Sequence, residues 1–109
     1  MTKWHRSLED RFGLFPQEQQ LLMVANELNR ANHQLNHPHE YRRALERGLE
    51  LLDLLCRDHR WKKSLPELRR AREVMASYFC QLAPSDVSVL QKALIALHSK
   101  SWKMLRQNT

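Results

Sequence analysis

The stretch YRRALERGLELLDLLCRDHRW, residues 41–61, decides the fold class of this chain. At about 100° per residue, its apolar side chains fall within about 160° of the circumference of a helix. The members of this stripe are Tyr41, Ala44, Leu45, Gly48, Leu49, Leu51, Leu52, Leu55, Cys56 and His59. A stripe of that width exceeds the seam of a two-stranded coiled coil, so the helix should pack against two or more neighbours. The sequence therefore predicts a helical bundle with this segment at its centre.

Gly48 lies on the apolar stripe in the middle of that helix. A glycine there costs about 1 kcal/mol relative to alanine. The simplest compensation is the close approach of another helix backbone, which we therefore expect at this position.

Helical periodicity continues on both sides of the central segment and predicts an all-α protein. Long helices are predicted over residues 16–36, 39–63, 65–82 and 85–107, after an arm and a short helix in residues 1–15. A proline stands at the opening of each long helix, namely Pro16, Pro38, Pro66 and Pro84. Ser64 and Glu67 form a capping-box pattern around Pro66. Because the connections are short, we expect an antiparallel up-down-up-down four-helix bundle forming a single domain over residues 1–109.

The first long helix has an uncharged polar side opposite its apolar seam. The polar side consists of Gln17, Gln19, Gln20, Asn26, Asn29, Asn32 and Gln34. Such a face is typical of a surface exposed to water.

Composition indicates a soluble protein and no membrane partner. The 109 residues contain no apolar run of about 18 residues, and the polar start is unlike a signal peptide. Cys56 and Cys80 have no CxxC spacing, so we expect reduced core cysteines in a cytoplasmic protein. The formal charge of +6 favours an anionic partner.

The predicted topology concentrates positive charge at one end of the bundle, the basic pole. Its candidate residues for an anionic partner are Arg57, Arg60, Trp61, Lys62, Lys63, Arg69, Arg70, Arg72, Lys100, Lys103 and Arg106. Trp4 and Trp102 belong to segments that end at the same pole. Cations interleaved with aromatic rings can neutralise phosphates and stack on bases, so nucleic-acid binding is one hypothesis. The alternative is a solvated surface whose cations complement helix C-termini, although this does not account for the arginines of residues 69–72.

A second surface favours binding to another protein. Ile95 and Trp102 lie one heptad apart, opposite the core stripe of the last helix, and Leu54 and Trp61 lie on the charged side of the central helix. Exposed apolar side chains at helical spacing can bind a partner helix or form a homodimer seam. The competing interpretations are that single exposed apolar residues are ordinary and need no explanation, or that the short N-terminal helix covers them. We favour a non-enzymatic interaction protein, with nucleic-acid binding as the alternative.

Catalytic and metal chemistry have little support. His33, His37 and His39, followed by Glu40, are weak metal candidates because a polar turn is the commoner meaning of such a cluster. Cys56 and His59 stand at i,i+3, but no third group orients the pair. The few glycines exclude phosphate-binding loops. We therefore predict no cofactor, no small-molecule substrate and no enzymatic activity.

Overall fold

The computed structural model describes residues 11–98, and the regular structure within that range is entirely helical. The elements are α1 (Gln17–Asn32), α2 (Pro38–Arg57), a 3-10 helix (His59–Ser64), α3 (Leu65–Phe79) and α4 (Ser88–Ile95). No strand occurs in this part of the chain, which confirms the all-α prediction and is compatible with a helical bundle. Among these helices none has the length and apolar character needed to cross a membrane.

The central helix is shorter than predicted because Asp58 ends it. The backbone of Asp58 is extended, and its side chain accepts a hydrogen bond from the backbone N–H of Arg60 over 3.0 Å. An aspartate that bonds to the backbone in this way competes with the helical hydrogen-bond ladder. The chain therefore leaves α2 after Arg57 and continues as a 3-10 helix, instead of running as one helix over residues 39–63.

The start of α4 also differs from the prediction, because a residue of α1 fixes it. Residues 84–87 are not helical, and α4 begins at Ser88. The Asn32 side chain accepts a hydrogen bond from the Val87 N–H (2.8 Å) and donates one to the Ser88 hydroxyl (3.0 Å). Asp86 accepts the Ser88 N–H over 2.7 Å. Residues 99–107 of the predicted last helix and residues 1–10 of the predicted N-terminal arm lie outside the described range.

At the start of α3, the predicted position of the proline is confirmed, whereas the predicted capping box does not form. Pro66 lies in the first turn of α3, as predicted. Ser64 directly precedes that helix, but its hydroxyl makes no capping hydrogen bond. The capping-box prediction was therefore wrong in its chemistry, although the helix does begin beside Ser64.

The core is built around α2, which packs against both α1 and α3 as the width of its stripe predicted. α1 in turn contacts α4, whereas the contact between α3 and α4 is less extensive. The fully buried large side chains are Leu21 and Leu28 in α1, Tyr41, Leu45, Leu51, Leu52 and Leu55 in α2, Leu68 and Met75 in α3, and Leu94 and Ile95 in α4. Each helix thus contributes apolar surface to one continuous core.

Ion pairs and hydrogen bonds fix the helices and the segment before α4 relative to one another. The buried Glu27 carboxylate of α1 pairs with Arg47 of α2 (3.0 Å) and with Arg30 one turn along α1 (3.2 Å). The Tyr41 hydroxyl donates to the Ser85 carbonyl over 2.9 Å, and burial raises the pKa of Tyr41. Buried polar groups need such partners because an unsatisfied one costs about 1–3 kcal/mol.

Gly48 is closely approached, but by a side chain and not by a helix backbone. A Cβ atom added at Gly48 would lie 3.0 Å from the Met75 sulfur and 3.7 Å from the Glu27 Cβ atom. Met75 is fully buried against this position. The glycine therefore makes room for a core methionine of α3, which corrects the sequence-based explanation.

We expect Gly48→Ala to destabilise the fold by about 1 kcal/mol. The cost of overpacking, about 1–3 kcal/mol, exceeds the gain in helix propensity of about 1 kcal/mol. In a Met75→Ala background the clash disappears, so the same change should stabilise by about 0.5–1 kcal/mol. Urea unfolding of the four proteins measures both effects. A stabilising Gly48→Ala change in the wild-type background would contradict this account.

Candidate functional site

The side chains predicted to bind a partner protein are buried. Leu54, Trp61 and Ile95 are only 7%, 2% and 2% exposed, so the interpretation of these residues as exposed contacts was wrong. Leu54 lines the same cavity as Phe12, so the chain segment before α1 packs over that side of α2. Trp102, the fourth candidate, lies outside the described residues.

Trp61 is held inside the protein by a hydrogen bond and a ring contact. Its indole N–H donates to the Gln20 side-chain oxygen over 2.7 Å. Its ring lies edge-on to His98, with 6.1 Å between the centroids. A ring that is 2% exposed cannot stack on a base. Trp61 is therefore not available for the protein-binding surface or the nucleic-acid surface that the sequence predicted.

A buried glutamine joins three segments of the chain. Gln20 is fully buried, although the sequence indicated a surface position. Its amide N–H₂ group donates to the Phe12 carbonyl (2.8 Å) and to the Asp58 carboxylate (3.1 Å), while its oxygen accepts from Trp61. We refer to Gln20, Asp58, Arg60 and Trp61 as the polar cluster. It ties α1 to the junction between α2 and the 3-10 helix.

Arg60 is used for structure within this cluster. Its guanidinium pairs with Asp58 at 2.7 Å and donates to the carbonyls of Gly13 (3.1 Å) and Phe15 (2.9 Å). Hydrogen bonds from Arg60 hold the pKa of Asp58 far below its ordinary range, and the same pair raises the pKa of Arg60. With its Nε–H and one terminal NH₂ group engaged in this way, Arg60 is a poor candidate for binding phosphate.

The remaining cations of the basic pole divide into paired and unpaired groups. Arg72 pairs with Asp53 of α2, and Arg57 is also engaged in an interaction. Four exposed cations have no ion pair within residues 11–98, and we name them the cationic patch: Lys62, Lys63, Arg69 and Arg70. Lys100, Lys103 and Arg106 lie outside the described residues. The described part of the pole is thus smaller than the sequence suggested.

An apolar groove lies between α3 and α4, which we name the α3–α4 groove. It encloses about 350 Å³. Its lining residues are Glu67, Arg70, Ala71, Val74, Tyr78, Val89, Leu90, Ala93, Leu94 and Leu97. Val89 is 79% exposed and Val74 is 36% exposed, which is unusual for valines that line a concave surface. The sequence pattern did not predict this groove.

The groove exists because α4 is short and is bound mainly to α1. The Gln91 side chain of α4 donates to the Ala25 carbonyl of α1 over 3.1 Å, in addition to the Asn32 contacts. α4 therefore packs on α1 more closely than on α3. Ala71, Tyr78 and Leu90 stand at helical spacing from the buried Leu68, Met75 and Leu94, and such periodicity cannot reveal that the described residues leave one edge of these faces uncovered.

The weak metal and thiol candidates do not form a site in the described residues. His33, His37 and His39 are exposed, and a His33 ring nitrogen lies 2.9 Å from the Asn29 carbonyl. Across residues 11–98 no three side chains of His, Cys, Asp or Glu are grouped so that they could hold a metal ion.

The two cysteines differ in their surroundings. Burial raises the pKa of the half-buried Cys56 thiol, which opposes formation of a reactive thiolate. Its proposed neighbour His59 is exposed, and Cys80 is exposed rather than in the core as predicted.

Comparison of the chain with protein-family models, with curated proteins and with solved structures gives no match. The functional argument therefore depends on the geometry of the described residues.

We expect Gln20→Leu to destabilise the protein by about 2–4 kcal/mol. The substitution keeps the approximate volume but leaves the Trp61 N–H buried without a partner, at about 1–3 kcal/mol, and removes one hydrogen bond each from the Phe12 carbonyl and the Asp58 carboxylate. Gln19→Leu is the matched control, because Gln19 is exposed and the change should stay within about 0.5 kcal/mol. Chemical unfolding compares the two variants. Equal stabilities would show that the polar cluster contributes little.

Proposed function

We propose that this protein is a small interaction module that binds another protein through the α3–α4 groove. The observation that carries the proposal is the uncovered apolar lining, with Val89 largely exposed above the buried Leu90 and Leu94. Contiguous exposed apolar surface in a soluble protein commonly marks an interaction site. The occupant that we propose is an amphipathic helix of a partner protein.

The dimensions of the groove support a helical occupant. From Glu67 to Tyr78 its wall extends over about three turns of α3, or about 16 Å. A bound helix would place side chains at i, i+3/i+4 and i+7 along that length. The volume of about 350 Å³ accommodates a few aliphatic side chains but not a whole helix, so the partner would rest on the rim.

We further infer that the four helices alternate in direction. Three pairs of contacts support this inference, because residue numbers rise along one helix as they fall along its neighbour. Between α1 and α2, Gln20 contacts Asp58 and Glu27 contacts Arg47. Between α2 and α3, Gly48 lies against Met75 and Asp53 pairs with Arg72. Between α1 and α4, Gln91 bonds to Ala25 and Ser88 bonds to Asn32. The bundle would then be up-down-up-down.

We propose that the protein acts by binding and not by catalysis, in the cytoplasm. The members of the polar cluster bond to one another and to backbone carbonyls, and none of them lines the α3–α4 groove. The cysteines Cys56 and Cys80 are both free, which suits a reducing compartment.

A labelled synthetic peptide tests the groove directly. The probe has about 16 residues, leucine at helical spacing and glutamine elsewhere, and fluorescence anisotropy measures its binding. We expect Val89→Glu to weaken binding at least about tenfold, because the bound peptide would bury an unpaired carboxylate. Leu82→Glu is the matched control, since Leu82 is 98% exposed and lies outside the groove.

Two results would contradict the proposal. One is the absence of peptide binding, and the other is a loss of binding that is equal for Val89→Glu and Leu82→Glu. Light scattering of the free protein adds a third outcome. A dimer that Val89→Glu disrupts would mean that a second copy of the chain occupies the groove.

Nucleic-acid binding is the second candidate, and the cationic patch is the observation that favours it. The patch places four exposed cations within nine residues of chain, namely Lys62, Lys63, Arg69 and Arg70. Glu67 is the one acidic residue within residues 62–70. Without Trp61 the surface can contact phosphates, and the described ring that remains exposed beside it is the imidazole of His59. Binding of this kind would be weak, sequence-independent and salt-sensitive.

We expect Lys62→Glu together with Arg69→Glu to abolish any mobility shift of a DNA duplex at low salt. The reason is that phosphate binding depends on the number of neutralised charges, so affinity should also fall steeply as salt rises. Arg43→Glu, at an exposed position near the start of α2, is the control. A shift that persists in the double variant, or that salt leaves unchanged, would remove the nucleic-acid candidate.

A further inference from the structure

The α3–α4 groove is charged at one end and uncharged along the rest of its length. Glu67 and Arg70 line the end formed by the first turns of α3, while the walls beyond them are Val74, Tyr78 and Val89. Any helix lying in the groove would therefore meet charge at only one of its ends.

Positive charge predominates at that end. Lys62 and Lys63 lie in the last turn of the 3-10 helix that precedes α3, and both are exposed without an ion pair inside the described range. Together with Arg70 they supply three cations against the single carboxylate of Glu67. Arg69 does not belong to this group, because it lies toward α2, where it opposes the burial-driven rise in the pKa of Cys56.

We infer, on the basis of the proposed function, that the α3–α4 groove selects an amphipathic helix with acidic residues at one end. The acidic residues lie beside Lys62, Lys63 and Arg70, and the uncharged apolar part lies along Val74 and Val89. Charge complementarity of this kind gives a partner its register and its orientation. It also disfavours a helix with lysines at the same end, since like charges at an interface oppose binding.

Three members of the cationic patch, Lys62, Lys63 and Arg70, then form one binding surface with the apolar groove. Arg70 belongs to both, since it is a member of the patch and lines the groove. An isolated apolar groove would accept many helices, whereas the adjoining cations distinguish among them by charge.

Three synthetic peptides with the same leucine stripe test the inference. They differ only in one terminal turn, which carries glutamates, glutamines or lysines. At low salt we expect the glutamate peptide to bind about fivefold more tightly than the glutamine peptide, as expected for two or three exposed ion pairs. The lysine peptide should bind more weakly than either. Raising the salt concentration should bring the three affinities together, because salt screens exposed charges.

Charge reversal in the protein provides the matched test. Lys63→Glu together with Arg70→Glu should invert the preference, so that the lysine peptide binds most tightly. Arg43→Glu changes an exposed cation near the start of α2 and should leave the order unchanged. Circular dichroism of each variant checks that it remains helical.

The possible outcomes separate this inference from the proposed function. Equal binding of all three peptides, weakened in each case by Val89→Glu, would overturn the charge selection and leave the groove as a binding site. Failure of all three peptides to bind would overturn the proposed function as well. Preference for the glutamate peptide that survives Lys63→Glu with Arg70→Glu would assign the selection to other residues and overturn the inference.

Discussion

The buried amide of Gln20 is the interaction on which the arrangement of this protein depends. One side chain of α1 bonds at once to the chain before α1, to the carboxylate that ends α2, and to the indole of the 3-10 helix. A buried polar group that loses its partners is costly, so these three segments are fixed relative to one another. Because α3 follows the 3-10 helix without a break, the same contacts also define where α3 begins.

The polar cluster determines which groups of the basic pole face the solvent. It holds Trp61 and Arg60 in structural roles, and it leaves the neighbouring Lys62 and Lys63 exposed. Neighbouring residues of the 3-10 helix therefore differ in exposure, because its tight turn directs successive side chains to different sides. The charge that remains available lies beside the first turns of α3, where Arg70 continues it into the groove.

The α3–α4 groove arises because hydrogen bonds hold α4 against α1 and not against α3. Asn32 and Gln91 bond α4 to α1, whereas α3 faces α4 across the groove with Glu67, Arg70, Ala71, Val74 and Tyr78. The hydrogen bonds are directional, so they fix the position of α4 even though residues 11–98 leave apolar surface on α3 uncovered. That apolar surface, with Arg70 at one end, supports the proposed binding function.

The sequence by itself determined the helical class, the burial of most of the apolar stripe of α2 from Tyr41 to Leu55, and the position of Pro66 in the first turn of α3. These features follow from periodicity and from local backbone chemistry, both of which act over a few residues. Only the tertiary structure decided that Gln20, Leu54, Trp61 and Ile95 are buried, that α4 begins at Ser88, and that a groove remains between α3 and α4. The reason is that periodicity identifies the most apolar face of a single helix, whereas the burial of any other face depends on segments that are distant in sequence.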